Sequence, residues 1–239
     1  MGPGVVASSK DAVESATAAH PDYRAARIVR AETILISIPF EAGGTPPWSF
    51  GGKSRSSFDT LLVRLETDTG VVGWGEAFSR NEDVALKHLI DSRILPLVIG
   101  RDALSIARVK FELEFQLHNF GRIGPVMYGI SAIDIALWDI LGKICGLPLA
   151  TLLGGASANE VEVYASLMRY GNCNDVAKAT RKAVDRGYRY IKLHEITTKE
   201  IRAAVEAAGD ARVMLDTNCP WSVPEALRYD RELEPLNLY

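Results

Sequence analysis

The stretch GYRYIKLHEITTKEIRAAVEAAGDARVMLDTN, Gly187–Asn218, decides the fold. Its β-branched and aromatic opening reads as a strand, TKEIRAAVEAAGD (198–210) as a helix, and ARVMLDT (211–217) as a second strand. Outward from it the same order repeats. Upstream, VEVYASLM (161–168) reads as a strand and NDVAKATRKAVDRG (174–187) as a helix closed by Gly187; downstream, VPEALRYDRELE (223–234) reads as a helix and Leu236–Tyr239 as the opening of a fourth strand. Strand and helix alternating through short connections predict a parallel α/β sheet or barrel. Tyr164 to Lys192 is 28 residues and Lys192 to Asp216 is 24, one βα unit each. Eight such units need on the order of 200 to 250 residues. From Glu160 to Tyr239 there are 80, enough for three complete units and the start of a fourth.

Upstream of Glu160 the texture differs. RIVRAETILISI (27–38), SSFDTLLVRLE (56–66) and VVGWGEAF (71–78) read as three strands, the last two a hairpin turning at Asp68-Thr69-Gly70. Helical stretches follow at 82–98, 103–119 and 126–145. In the third, Ile130, Ile133, Leu137, Ile140, Leu141 and Ile144 recur at the spacing of a face packed on a core, and Gly146 with Pro148 ends it. Strands first and helices after define an α+β domain over residues 27–155. Between the first two strands, EAGGTPPWSFGGKSRSS (41–57) is too rich in Gly and Pro for regular structure. Trp48 and Phe50 within it favour a lid or binding loop over an idle excursion. Residues 1–26 mix Gly, Ala, Ser and charges without an apolar period and read as a flexible leader.

Composition places the chain among globular proteins: 239 residues, 47% hydrophobic, 24% charged, with a mean hydropathy of +0.03. The net charge of −3, with both signs scattered, recommends neither nucleic acid nor a membrane surface as partner. Cys145, Cys173 and Cys219 match no metal-ligand spacing, and their odd number points to a reduced, cytoplasmic compartment. No segment reaches the ~18 apolar residues expected of a membrane span, and the N-terminus lacks the order of a signal peptide.

In parallel α/β folds the functional groups sit at the carboxyl ends of strands. Here those are Lys192, His194 and Glu195 on one strand, Asp216 and Asn218 on the next. Strand alternation puts Lys192 and His194 on one side. A lysine in an apolar strand is pushed toward the range of a useful base, an imidazole titrates near neutrality, and an aspartate is a hard oxygen donor suited to Mg²⁺. Together they suit proton abstraction beside a carboxylate. The plainer readings stand beside this one: Lys192 at a sheet rim with its head in water, Asp216 or Asn218 as a helix N-cap, His194 as a packed histidine.

ISAIDIALWDILGKICGLPLATLLGG (130–155) closely resembles the signature helix of the mandelate racemase/muconate lactonizing branch of the enolase superfamily. VVGWGEA (71–77) is similar to that branch's N-terminal strand motif, GYRYIKLH (187–194) to its second barrel strand and VMLDTN (213–218) to its third. The resemblance runs from about Arg27 to Tyr239. It implies an α+β capping domain over a modified TIM barrel, and Mg²⁺ stabilising the enediolate formed when a base takes the proton α to a carboxylate. It implies further that Asp216 is the first of three carboxylate ligands and Lys192 the first lysine of a Lys-x-Lys pair. His194 stands where the second, commonly the base, is expected. The Trp48 loop matches the mobile lid, so Trp48 and Asn218 are the candidate substrate contacts.

Two departures from the family pattern shape the expectation. His194 in place of lysine keeps a base but disfavours subgroups that depend on two lysines. The other two metal carboxylates of the pattern fall beyond Tyr239, so the chain reads as a fragment of a longer protein. For the intact protein the expected activity is acid-sugar dehydratase, with racemase or epimerase as the alternative and a homo-oligomer as the expected state. The third possibility is that residues 27–155 fold and associate while the barrel portion is catalytically idle.

Overall fold

A computed structural model describes residues 24–39, 57–79 and 82–239. The expected leader, apart from residues 24–26, and the loop carrying Trp48 lie outside the described residues. The chain divides into two compact units, one of residues up to 36 with 59–156, the other of residues 37–58 with 157–239.

The first unit holds a sheet in the order β1 (Ile28–Pro39), β2 (Ser57–Thr67), β3 (Val72–Ala77). β2 and β3 form the expected antiparallel hairpin, with Leu61 opposite Ala77 and Glu66 opposite Val72. Its turn needs Gly70 in the left-handed region at φ 79. The expected helix 82–98 is one helical run with an internal wide turn: α1 (Asp83–Leu89), a π turn at Ile90–Ile94, then α2 (Leu95–Val98). After α3 (Ile106–Gln116) comes α4 (Pro125–Cys145), which starts with Pro125 in its first turn and ends at left-handed Gly146. The short α5 (Leu149–Leu152) closes the unit.

Helix α4 is the centre of this core. Ile130, Ile133, Leu137 and Ile140 are buried as the stripe predicts, while Ile144 is exposed because it lies past the sheet's cover. At 21 residues and a mean hydropathy of 1.3, α4 is long and apolar enough to cross a membrane by length and composition, which corrects the expectation that no segment is. Its buried face is claimed instead by β3. Gly73 and Gly75 permit that approach: a Cβ at Gly75 would sit 1.9 Å from the Ala132 carbonyl oxygen, and one at Gly73 2.2 Å from that of Ala136.

The second unit is a parallel sheet in sequential order, β4 (Ala165–Ser166), β5 (Tyr190–Leu193), β6 (Arg212–Leu215). Lys192 lies opposite Ser166 on one side and Met214 on the other. Helices α6 (Cys173–Asp185) and α7 (Thr198–Ala208) make the crossovers, and α8 (Val223–Leu233) follows β6. Asn172 caps α6 by accepting the Asp175 N–H, and Ser222 with Glu225 forms a capping box on α8. Sequential parallel strands with intervening helices are the barrel order rather than the doubly wound one.

The strands of this unit are shorter than their sequences predict, and two expected ones depart most. Of 161–168 only Ala165 and Ser166 pair; β4 is an edge strand, so Val161 and Val163 find no second surface and stay exposed. At 236–239 there is no strand. Pro235 sets a 3₁₀ turn at Glu234–Leu236, and then a single bond from the Tyr239 N–H to the Val213 carbonyl, 2.8 Å, lays the segment along β6.

Candidate active site

Burial alternates along β5 and past its end. Ile191, Leu193 and Glu195 are buried, the first two in the core with Val176 and Ile201, whereas Lys192 and His194 are half-buried on the other face. At the tip of β6 the half-buried Asp216 faces them. Lys192 Nζ lies 3.3 Å from Asp216 Oδ2 and His194 Nε2 lies 3.7 Å from the same oxygen. The structure thus brings Lys192, His194 and Asp216 into one cluster. Side-chain exposures of 21% for Lys192, 22% for His194 and 43% for Asp216 leave all three reachable by a small molecule.

Each group is aimed by a neighbour. His194 Nδ1 is 2.6 Å from the Leu167 carbonyl oxygen. A carbonyl only accepts, so Nδ1 carries the proton and Nε2 is the nitrogen turned to the cluster. Lys192 Nζ lies over the Tyr164 ring, 5.4 Å from its centroid, a cation–π contact that steadies the ammonium. Asp216 Oδ1 accepts the Asn218 N–H at 3.2 Å, a turn that needs Asn218 and Cys219 both left-handed, at φ 56 and 57. Two such residues in succession are costly for side chains other than glycine and mark a segment shaped for its site. The Asn218 N–H, with the Lys192 ammonium second, holds the Asp216 carboxyl below the ordinary carboxylate range.

Asp216 caps no helix, since Ser222 caps α8, and Lys192 is paired rather than spread into water. Asn218 is exposed beside Asp216. Glu195, the remaining strand-end residue, points away: only 1% exposed, it accepts the Tyr170 N–H at 2.6 Å and the Gly171 N–H at 3.2 Å. Burial pushes its carboxyl above the ordinary glutamate value, against the pull of those two N–H groups. The residue that sequence reasoning missed is Arg169. Its Nε donates to the His194 carbonyl at 2.6 Å and its terminal nitrogen to the Thr217 carbonyl at 3.0 Å. The signal for it was thin: one cation just past a strand, whose partners are backbone oxygens.

Asp216, ionised and accessible, fits the role of one oxygen ligand for Mg²⁺. Among the described residues no group of three or more His, Cys, Asp or Glu side chains is gathered, so those residues supply a single carboxylate to such a site.

An α+β unit followed by sequential parallel βα units, with lysine, histidine and aspartate at adjacent strand tips, defines an enolase-type cap and partial TIM barrel. Residues 37–154 match the mandelate racemase/muconate lactonizing enzyme N-terminal domain, and residues 175–239 match the enolase C-terminal domain-like family. The chain belongs to the mandelate racemase/muconate lactonizing enzyme branch of the enolase superfamily. It is 29% identical over 198 residues to an arabinonate dehydratase of Saccharolobus solfataricus, covering 79% of this chain and 53% of that protein. A racemase from Streptomyces coelicolor A3(2), solved with bound magnesium, superposes with a TM-score of 0.77 at 30% identity, covering 88% of this chain and 60% of that one. The L-talarate/galactarate dehydratase of Salmonella typhimurium LT2, solved with Mg and L-lyxarohydroxamate, gives 0.77 at 26% identity, covering 90% and 57%. The chain spans about half the length of the curated relative.

Proposed function

We propose that this chain carries part of the active site of a Mg²⁺-dependent hydro-lyase that removes the proton α to the carboxylate of a sugar acid and expels the β-hydroxyl. The observation that carries the reading is the meeting of Lys192 and His194 Nε2 on Asp216 Oδ2, at 3.3 and 3.7 Å, on adjacent parallel strand tips. Asp216 is the residue that would hold Mg²⁺, which when bound supplies the positive charge that stabilises an enediolate. His194 or Lys192 takes the α-proton. For His194 the accepting atom is Nε2, because Nδ1 is committed to Leu167. The C–H electron pair moves into the enediolate, a second, acidic group gives its proton to the β-hydroxyl, which leaves as water, and the resulting enol takes up a proton at carbon to become a 2-keto acid. Asn218 and Trp48 are assigned to substrate contact. A sugar acid is the partner in this reading, for a homo-oligomer working in the cytoplasm.

The intact protein, incubated with Mg²⁺ and a panel of sugar acids in deuterated water, tests the reading. A 2-keto product is expected, and substituting Lys192→Met or His194→Asn lowers its rate by about 10²-fold or more. Neither keto acid nor deuterium at the α-carbon from any acid overturns it. The Streptomyces coelicolor racemase among the structural neighbours favours one second reading, racemase or epimerase. Deuterium incorporation without loss of water selects that reading.

A further inference from the structure

The strand tips of the second unit are joined by a reciprocal crosslink. From the end of β4, the Arg169 side chain reaches the carbonyls of His194 and Thr217; from the end of β5, the Glu195 carboxylate takes the N–H groups of Tyr170 and Gly171. The last ladder bonds here run from the Leu167 N–H to Lys192 and from the Asp216 N–H to Leu193. Beyond them the carbonyls of His194 and Thr217 have no strand neighbour to bond among the described residues, and one planar guanidinium serves both.

The Thr217 carbonyl belongs to the same peptide group as the Asn218 N–H, the donor that holds Asp216 Oδ1 at 3.2 Å. Arg169 therefore grips one end of a rigid peptide whose other end grips the carboxylate. Its second bond grips the peptide that leaves His194. We propose that Arg169 is a positioning residue for this site: one side chain fixes the backbone that aims both the His194 imidazole and the Asp216 carboxylate. The active-site role rests on the function proposed above; the positioning geometry does not.

NMR on the full chain tests it. Arg169→Met keeps the bulk and removes every donor, Arg169→Lys keeps the charge but gathers its donors on one nitrogen in place of the planar fork, and Arg189→Met, which breaks an exposed pair with Glu162, is the control. Arg169→Met is expected to speed solvent exchange of the Asn218 amide and of the His194 ring Nδ1–H about tenfold, the loss of roughly one charge-assisted hydrogen bond. Amides in β5 and α7 keep their rates. Arg169→Lys, whose donors all sit on one nitrogen and cannot span both carbonyls as the fork does, restores only one of the two signals. Unchanged exchange at both groups, or an increase shared equally by the whole unit, overturns the proposal. Should Arg169→Met fail to fold, Arg169→Lys decides by the same criterion: one signal lost supports it, both retained overturns it. Mg²⁺ added to the intact protein, which carries the remaining carboxylates of the pattern, separates the two readings. If the Asn218 amide does not respond, the cation reading fails, while the exchange data still judge Arg169.

Discussion

At the residue scale, a shift of one position along β5 reverses a side chain's role. His194 continues the face of Lys192 into the accessible cluster, whereas Glu195 continues that of Ile191 and Leu193 into the core. Strand alternation was available from the sequence, yet Glu195 looks there like one more strand-tip acid. What separates it is burial against the N–H groups of Tyr170 and Gly171, contacts that appear only once β4 and β5 pair. Arg169 is illegible for the same reason, because backbone oxygens leave no pattern. Lys192, His194 and Asp216 could be picked out because alternation and strand-end position are themselves sequence properties. The raised carboxyl of Glu195 has a consequence for stability. The folded state binds its proton more tightly than the unfolded state does, so its contribution is fully present below the ordinary glutamate value of 4.5 and is lost as pH rises through the displaced value. Glu195→Gln, which carries no such proton, is expected to flatten that decline. Urea midpoints measured from about pH 4 to 7 check this: equal slopes for the two proteins refute it.

At the element scale, the β3–α4 contact is the tightest constraint described, and half of it was legible. The isoleucine and leucine stripe announced the helix face. The strand's half lies in Gly73 and Gly75, which fall inside a stretch read as strand without any sign that the helix backbone demands them. Gly75→Ala must push the strand off the Ala132 carbonyl and is expected to cost about 3 kcal/mol. Gly70→Ala, with nothing within 4 Å of the added carbon, costs only the strain of φ 79, about 1 kcal/mol. Guanidinium unfolding of the two variants checks the order, and a larger loss for Gly70→Ala contradicts the packing account. The π turn at Ile90–Ile94 was invisible as such, because helical periodicity does not record one wide turn. It places Ile90 and Ile94 against Gly129, where an added Cβ would come within 2.3 Å of Ile94 Cδ1.

At the scale of the whole molecule, the two units differ in the core each has for itself. Among the described residues, twenty-three buried apolar residues cluster in the first unit and ten in the second. The smaller cluster removes less apolar surface from water and should give way first. Hydrogen exchange read by mass spectrometry is expected to label β5 and β6 at lower urea than β2, β3 and α4; simultaneous labelling would show one cooperative unit instead. Division into an α+β part and a βα part was readable from the change of texture near Glu160, because strand-first and alternating patterns differ over tens of residues. The truncated pairing of 161–168 was not, since partner strands, rather than local preference, settle where an edge strand ends. The contact of Gly73 and Gly75 with α4 also bears on how the chain is made. About 60 residues separate the strand from the helix that covers it, and a ribosome adding ~5–20 residues per second needs roughly 3 to 12 s to deliver them. Through that interval the nascent hairpin holds its apolar side bare, which makes it a segment for a chaperone to shelter during translation.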